Sequence, residues 1–502
     1  MISLVIGVLS LLLFSPCEYC FQSSCYEYQE LEISYNAGWN FSIYNVLKKI
    51  IAQLEPFESM QLLIEKMKGK FSYYFEESTV AEPYEGYTLF GPEYSRRTYL
   101  LDMDGKIVHT WTSNYIQGFG GYLLKNGEML RLDLPFDNAV FVSGGVAGRV
   151  EKFDEESNLL WEFEYSTSQY CAHHDIEPLP NGNVLLIAWE YKTRDEAISA
   201  GRNPDKIRGN SVWPDHIVEV EPLGSDDGRI VWEWHLWDHL IQDYDPSKEN
   251  YGVVEDHPEL VDINYGESNS DWTHTNAVDY NEELNQILLS VHNLNEIWVI
   301  DHSTTTEEAA GHIGGNSGKG GDLLYRWGNP QVYRAGGGND QQYLGQHGAN
   351  WVEEGCPGKG NILVFNNGDR RQGSSSVDEI IPPLNEYGLY NIIDSEAYGP
   401  EEPIWTYTQD DMYSGLLSNA QRLPNGNTLI CSAQQGLFLE VSTDKEIVWS
   451  YQNILPTPRT NCVARVQRYS LDYPGIPEVV SIDSTECPHI LTKLLPLHNI
   501  DL

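Results

Sequence analysis

From about residue 87 onward, apolar and polar positions alternate with a period of two over short stretches, and Gly, Asn and Asp separate those stretches. That period places alternate side chains on opposite faces of a strand and predicts a chain built from β-hairpins. One unit recurs six times, as a turn followed by a strand carrying large residues two apart. The copies are Asp104–Trp111, Ser157–Phe163, Gly228–Trp234, Asp322–Trp327, Pro403–Tyr407 and Lys445–Tyr451. Rings two apart share one face, as a strand that packs aromatic bulk between stacked sheets requires.

A second hairpin falls between these copies. Its turns are of Asn-Gly type in Lys125–Leu130, Pro180–Leu186, Gly360–Val364 and Pro424–Ile430, with Asn285–Ser290 in the same place without the glycine. Two hairpins per unit make a four-stranded blade, so the fold class is all-β, a six-bladed β-propeller of four-stranded blades. The segment Asn461–Tyr469 is expected to close the ring by pairing with an early blade. Spacing between units is uneven, with long stretches at 190–215, 235–271, 302–321 and 328–346, which predicts loops forming a lid over one face.

Outside the repeats the pattern changes. Met1 to Phe14 is small and apolar, too short to span a bilayer, and lies where a signal peptide belongs. Tyr44–Ile51 and Met60–Met67 have helical periodicity and are parted by Pro56. The predicted organisation is a signal peptide over 1–20, a small helical N-terminal appendage over 21–85, the propeller over 86–472 and a C-terminal tail over 473–502. The chain is then expected outside the cell or in a secretory lumen, with no membrane segment after signal removal. Asn40-Phe41-Ser42 is a candidate glycosylation acceptor.

Charge narrows the partners. The chain carries 74 acidic and 31 basic residues, a formal net charge of −43. Such a field repels phosphate backbones and anionic membranes, so nucleic acid is excluded as a partner. The eight cysteines allow one or two disulfides, while Cys171 and Cys431 sit in apolar contexts that suit buried thiols equally well. The oligomeric state is left open by the sequence.

Candidate chemistry comes from the starts of the innermost strands, which converge on the channel of a propeller. Aligned, they read His173-His174-Asp175-Ile176, His274-Thr275-Asn276-Ala277, Gln346-His347-Gly348-Ala349 and Leu417-Ser418-Asn419-Ala420. Three of the four carry a histidine at one level, and the chain has only 14 to place. His292, after Leu288-Leu289-Ser290-Val291, is a candidate to join them. Histidines around a channel could also bind zinc, but Asp175 is the only carboxylate at close spacing and reads better as a group fixing a histidine tautomer. No metal and no cofactor is assigned. Gly314–Gly321 lacks the glycine spacing and the Ser or Thr of a phosphate-binding loop, and reads as a plain loop.

Several longer stretches carry a family resemblance. They are His173–Asn183, Asp271–Asn276, Glu296–His302, Gly345–His347 and Asn361–Gly368, in that order. From about Tyr87 to about Tyr451 the chain resembles the arylsulfotransferases that work without a nucleotide sulfate donor. The resemblance implies two-step transfer of a sulfuryl group between small phenolic donor and acceptor molecules. It implies His347 as nucleophile, with His274 and His174 binding sulfuryl oxygens or exchanging the phenolic proton, and His173 as an alternative to His174 one register step away. The periplasmic members have an Arg after the second histidine motif, where this chain has Ser290-Val291-His292. His292, Arg370 or Arg371 is expected to hold the sulfate group in its place. Two other readings stand beside transfer: altered chemistry such as sulfate-ester hydrolysis on the same scaffold, and a non-catalytic extracellular binding propeller.

Overall fold

The computed structural model describes residues 81–135, 137–368, 373–385, 388–390, 396–455 and 461–477. The expected signal peptide, nearly all of the 21–85 helical segment, Arg370, Arg371 and the tail beyond 477 lie outside the described residues.

Six four-stranded antiparallel sheets form the six expected blades. From the innermost strand outward, blade 2 is Ile116–Leu123, Met129–Leu134, Arg149–Phe153 and Leu159–Glu164, and blade 3 is Tyr170–Pro178, Val184–Glu190, Asp215–Leu223 and Asp227–His235. Blade 4 is Thr275–Asn281, Gln286–Val291, Glu296–Asp301 and Tyr325–Trp327. Blade 5 is His347–Trp351, Ile362–Asn366, Ser376–Ile380 and Trp405–Thr408, and blade 6 is Asn419–Arg422, Thr428–Ser432, Leu437–Val441 and Ile447–Gln452.

Blade 1 combines both ends of the repeat region. Gly86–Pro92, Arg97–Leu101 and Ile107–Thr112 form its outer three strands, and Val463–Ser470 is the innermost. This last strand pairs antiparallel with Gly86–Pro92, Tyr87 facing Tyr469 and Leu89 facing Gln467. The expected ring closure is therefore present.

The six aromatic repeats are the six outermost strands, and the first large ring of each does the same work. His109 Nε2 bonds to the Glu155 carbonyl at 2.9 Å, and Trp161 Nε1 donates to Asp227 O at 2.8 Å. Trp232 Nε1 donates to Thr304 Oγ1 at 3.1 Å, Tyr325 Oη to Gly399 O at 2.9 Å, Trp405 Nε1 to Thr443 O at 3.3 Å and Trp449 Nε1 to Met103 O at 2.9 Å. Each acceptor belongs to the outer turn of the next blade, so the repeat encodes a clasp around the whole ring. Rings two apart stack as predicted, Trp161 on Phe163 at 6.2 Å and Trp449 on Tyr451 at 6.4 Å.

The inner hairpins turn where expected. Gly127, Gly182 and Gly426 take φ of 87°, 89° and 89°, a region open to glycine at no steric cost. In blade 4, which lacks the glycine, Asn285 takes φ 50° instead, as Asn tolerates the left-handed region best among larger residues. Cys171, Cys356 and Cys431 are buried thiols without a disulfide. Among the described residues no helix is long and apolar enough to cross a membrane.

Candidate functional site at the propeller axis

The innermost strands of blades 3, 4 and 5 share one local irregularity. Pairing slips between Ala172 and Ile176, between Thr275 and Ala277, and between His347 and Asn350. His174 lies within its bulge at φ 57°, His274 directly precedes the blade 4 strand at φ 54°, both in left-handed backbone, and in blade 5 Gly348 takes φ 60° directly after His347. Left-handed histidine costs of order 1 kcal/mol or more, and such strain is retained where surrounding structure enforces it.

The result is a continuous row of four imidazoles. Ring centroids lie 4.4 Å apart for His174 and His274, 5.3 Å for His274 and His292, and 5.1 Å for His292 and His347. His173 stands behind them, stacked on Trp189 at 3.9 Å with 10° between the planes. Its Nδ1 is 2.7 Å from Nδ1 of His174, and its Nε2 is 3.1 Å from Asp215. Asp215 and His173 thus stand in line behind His174, with His173 outside the row.

Each ring is fixed by what its Nδ1 meets. His274 Nδ1 lies 2.5 Å from Asp271 Oδ2, which also accepts from Ser143 Oγ at 2.5 Å, while Asp271 Oδ1 accepts from Trp189 Nε1 at 2.9 Å. His347 Nδ1 faces two acceptors, Asn367 Oδ1 at 2.8 Å and the Gly345 carbonyl at 3.0 Å. The Asn367 amide nitrogen donates to Ser414 O and Leu417 O, so its oxygen is the atom turned to His347. His292 Nδ1 is 2.8 Å from Asn293 Oδ1, and the Asn293 amide donates to Asp271 O. A ring nitrogen opposite an acceptor carries the hydrogen, which leaves the Nε2 lone pair free on His347 and His292.

Electrostatics separate the four. Burial lowers the pKa of His347 well below the ordinary value, reinforced by the neighbouring His292. Burial does the same to His174, with His274 next in effect. His292 is pushed down to about 4 by burial and by the charge of His274. For His274 burial also opposes the charged form, but the hydrogen bond and charge of Asp271 outweigh it and raise the pKa. One ring is therefore biased toward imidazolium and three toward neutral imidazole.

Access is narrow. A Cβ added at Gly145 would lie 2.0 to 2.3 Å from three atoms of the His174 ring, so the loop between the second and third strands of blade 2 lies directly over that ring. Of the reacting candidates, His347 is 5% exposed, and the His274 side chain 18%.

The structure brings His174, His274, His292 and His347 together and puts His173 behind them. Asp175, expected to fix a histidine tautomer, does not: its two oxygens bond to Arg465 at 3.0 and 2.8 Å. The strand carries that carboxylate one level further along the axis, where the closing strand of blade 1 supplies the guanidinium. The tautomer-fixing carboxylates are Asp271 and Asp215 instead. Asp271 and Asn367 sit inside stretches already singled out for resemblance, whereas Asp215 is 42 positions from His173 and nothing in the sequence couples them. Val291 is fully buried between Thr275 and Glu296. Among the described residues no Arg or Lys hydrogen-bonds any of the four rings, and Arg370 and Arg371 lie outside those residues.

At the other end of the innermost strands, a cavity of about 730 Å³ is lined by Glu177, Asp279, Glu353 and Arg465 among others. Burial pushes Asp279 up to about 7. The axis is thus imidazole-lined at one end, and at the other its cavity mixes carboxylates with Lys125, Lys152, Arg422, Arg465 and Arg468.

Fold and site together define a six-bladed propeller with a histidine-lined axial centre. The sequence profile of the family described as Arylsulfotransferase (ASST) matches residues 74–464, and the chain belongs to that family. No curated protein matches the chain. Solved structures resemble it only distantly. A Bacteroides caccae protein of unknown function is 11% identical, covering 76% of this chain and 98% of its own, with a TM-score of 0.41. The periplasmic gluconolactonase of Pseudomonas aeruginosa is 10% identical, covering 76% and 99%, with a TM-score of 0.38. Virginiamycin B lyase from Staphylococcus aureus is 10% identical, covering 75% and 84%, with a TM-score of 0.35.

Proposed function

We propose that the protein moves a sulfuryl group from an aryl sulfate to a phenolic acceptor through a sulfo-histidine on His347. The observation that carries this reading is the pairing of a neutral nucleophile with a cationic donor in one row. His347 has both Nδ1 contacts to acceptors and its Nε2 lone pair unused, and Asp271 biases His274 toward imidazolium.

In the first half-reaction His347 Nε2 attacks sulfur, the S–N bond forms, and the S–O bond to the donor phenol breaks. The departing phenolate takes the proton from His274, leaving a neutral phenol and a neutral His274. In the second half the acceptor phenol returns a proton to His274 as its oxygen attacks sulfur. The S–N bond breaks and His347 recovers its lone pair. Asn367 and the Gly345 carbonyl hold the Nδ1 hydrogen throughout. His292, a candidate beside Arg370 and Arg371 to take over from the family's Arg, is held neutral, so among the described residues of the row His274 is the positive group against the sulfuryl oxygens. His174, backed by His173 and Asp215, borders the same space beneath the Gly145 loop. Secretion through the apolar Met1–Phe14 segment belongs to the same reading.

The test is transfer from p-nitrophenyl sulfate to phenol by the purified protein, without added metal or nucleotide, using sulfur-labelled donor. Phenyl sulfate should form, and wild-type protein quenched before acceptor addition should carry acid-labile label that His347→Ala lacks. Release of nitrophenol with free sulfate as the only product would shift the assignment to hydrolysis. A folded protein inert toward all phenols would leave the binding reading.

A further inference from the structure

A second histidine cluster lies away from the axis, where insertions of blades 3 and 4 meet. His239 follows the outer strand Asp227–His235 of blade 3, Asp322 precedes the outer strand Tyr325–Trp327 of blade 4, and His312 lies in the loop leading to Asp322. His239 Nδ1 and His312 Nδ1 each lie 2.8 Å from the same atom, Asp322 Oδ1. The available ligand atoms of the three residues all fall within 4.8 Å of one another.

The contacts of His239 show which of its nitrogens faces the cluster. Its Nε2 lies 2.8 Å from the Ala309 carbonyl, which has only lone pairs to offer, so Nε2 carries a hydrogen. Its Nδ1 faces the Asp322 carboxylate, another acceptor. The ring is fully buried and stacked on Trp234 at 5.5 Å, and its Nδ1 shares Asp322 Oδ1 with His312 Nδ1, so three ligand-type groups converge on one point. A divalent ion fits this convergence. Neutral His239 keeps Nε2–H on Ala309, the backbone-carbonyl partner that metal-bound histidines commonly have, and turns its Nδ1 lone pair to the ion. Separations of 2.8 Å are close to the roughly 3.3 Å ligand–ligand edge of a tetrahedron with bonds of about 2.0 Å.

The surroundings are built for this approach. A Cβ at Gly321 would lie 2.0 Å from Ala309 O and 2.6 Å from His239 Nε2, so only glycine fits beside the ring. Trp234 Nε1 donates to Gly321 O at 2.7 Å, and Leu323 N donates to Glu259 O at 3.0 Å, fixing the residues on either side of Asp322. His312 is 60% exposed at its side chain, which leaves the fourth position open to water.

We propose that His239, His312 and Asp322 form a zinc site, with two imidazole nitrogens, one carboxylate oxygen and one water, that staples the Gly311–Asp322 loop of blade 4 to blade 3. Its role is structural and separate from the sulfuryl-transfer centre.

The experiment is zinc binding by the whole protein after chelator treatment and dialysis, measured by calorimetry and elemental analysis. His312→Ala is the main variant, because the exposed ring can be removed without disturbing the core. His347→Ala serves as the control for uptake at the axis. Wild type and His347→Ala should take up one zinc per chain at this site, and His312→Ala should lose that equivalent. Zinc at a hundredfold excess over Kd should raise the melting temperature of wild type by roughly 3 °C or more and leave His312→Ala unmoved. Asp322→Asn should behave as His312→Ala in binding, whatever its own stability. Wild type that takes up no zinc, or His312→Ala that binds as much as wild type, would overturn the proposal.

Discussion

Asp271 Oδ2 stands 2.5 Å from His274 Nδ1 and accepts Ser143 Oγ at the same distance, so one carboxylate oxygen sets the charge of a site histidine and anchors the loop above it. Replacing it by Asn removes the charge that keeps His274 protonated. Asp271→Asn is expected to lower turnover by about 10²-fold. The alkaline limb of the pH–rate profile should also move to lower pH, since the raised pKa of His274 falls back once Asp271 is neutral. An unchanged profile would remove His274 from proton transfer.

Asn367 is expected to matter through the tautomer of His347. Asn367→Ala leaves Nδ1 with only the Gly345 carbonyl, so the proton is free to move to Nε2 and block the nucleophile. Turnover should fall by roughly 10- to 100-fold with KM little changed. Labelling of His347 in the first half-reaction should slow in parallel, and a loss confined to KM would contradict this role.

Gly145→Ala combines a collision with the His174 ring and a side chain at φ 79°. Overpacking of this kind costs about 1–3 kcal/mol, so denaturant midpoints should drop and activity with them. Full retention of both would mean that the loop lies elsewhere in solution.

Arg465 and Asp175 link blades 1 and 3 at the axis, with side chains 15% and 5% exposed. Arg465→Met leaves a buried carboxylate without its counter-charge, a loss of about 3–5 kcal/mol. The double variant Arg465→Met/Asp175→Asn should recover a substantial part of it. A double variant no better than the single would show that packing, not charge, sets the cost.

Acid should loosen the site. His292 has its pKa lowered to about 4, against about 6.5 in the unfolded chain. Between those values the unfolded chain binds a proton that the folded one does not. Stability contributed by neutral His292 is therefore present above pH ~6.5 and lost as pH falls toward 4. His292→Gln should lose less stability than wild type between pH 7 and 4.5 in urea titrations, and parallel curves would refute the assignment.

The blades were legible because the aromatic repeat marks one strand per blade and the Asn-Gly turns mark another. The level of the histidines followed from aligning innermost strands. Contacts across the axis were not legible. Asp175 neighbours His174 in sequence, yet its partner is Arg465, supplied by the last strand of the ring. Asp215 reaches His173 from the third strand of the same blade, past an insertion whose length hides the register. Periodicity reports which face a residue takes, and which blade lies opposite depends on closure.

That closure has a consequence for how the protein is made. The strand Val463–Ser470, which completes blade 1, leaves the ribosome after every other strand of the propeller, while its partner Gly86–Pro92 is the first of them. Until it arrives, an early edge strand stays unpaired, Asp175 has no counter-charge, and the Trp449 clasp to Met103 cannot lock. Assembly of the axial centre therefore waits for the last strand of the ring, and a chain stopped before Val463 would have every histidine of the row and no closed ring to hold them.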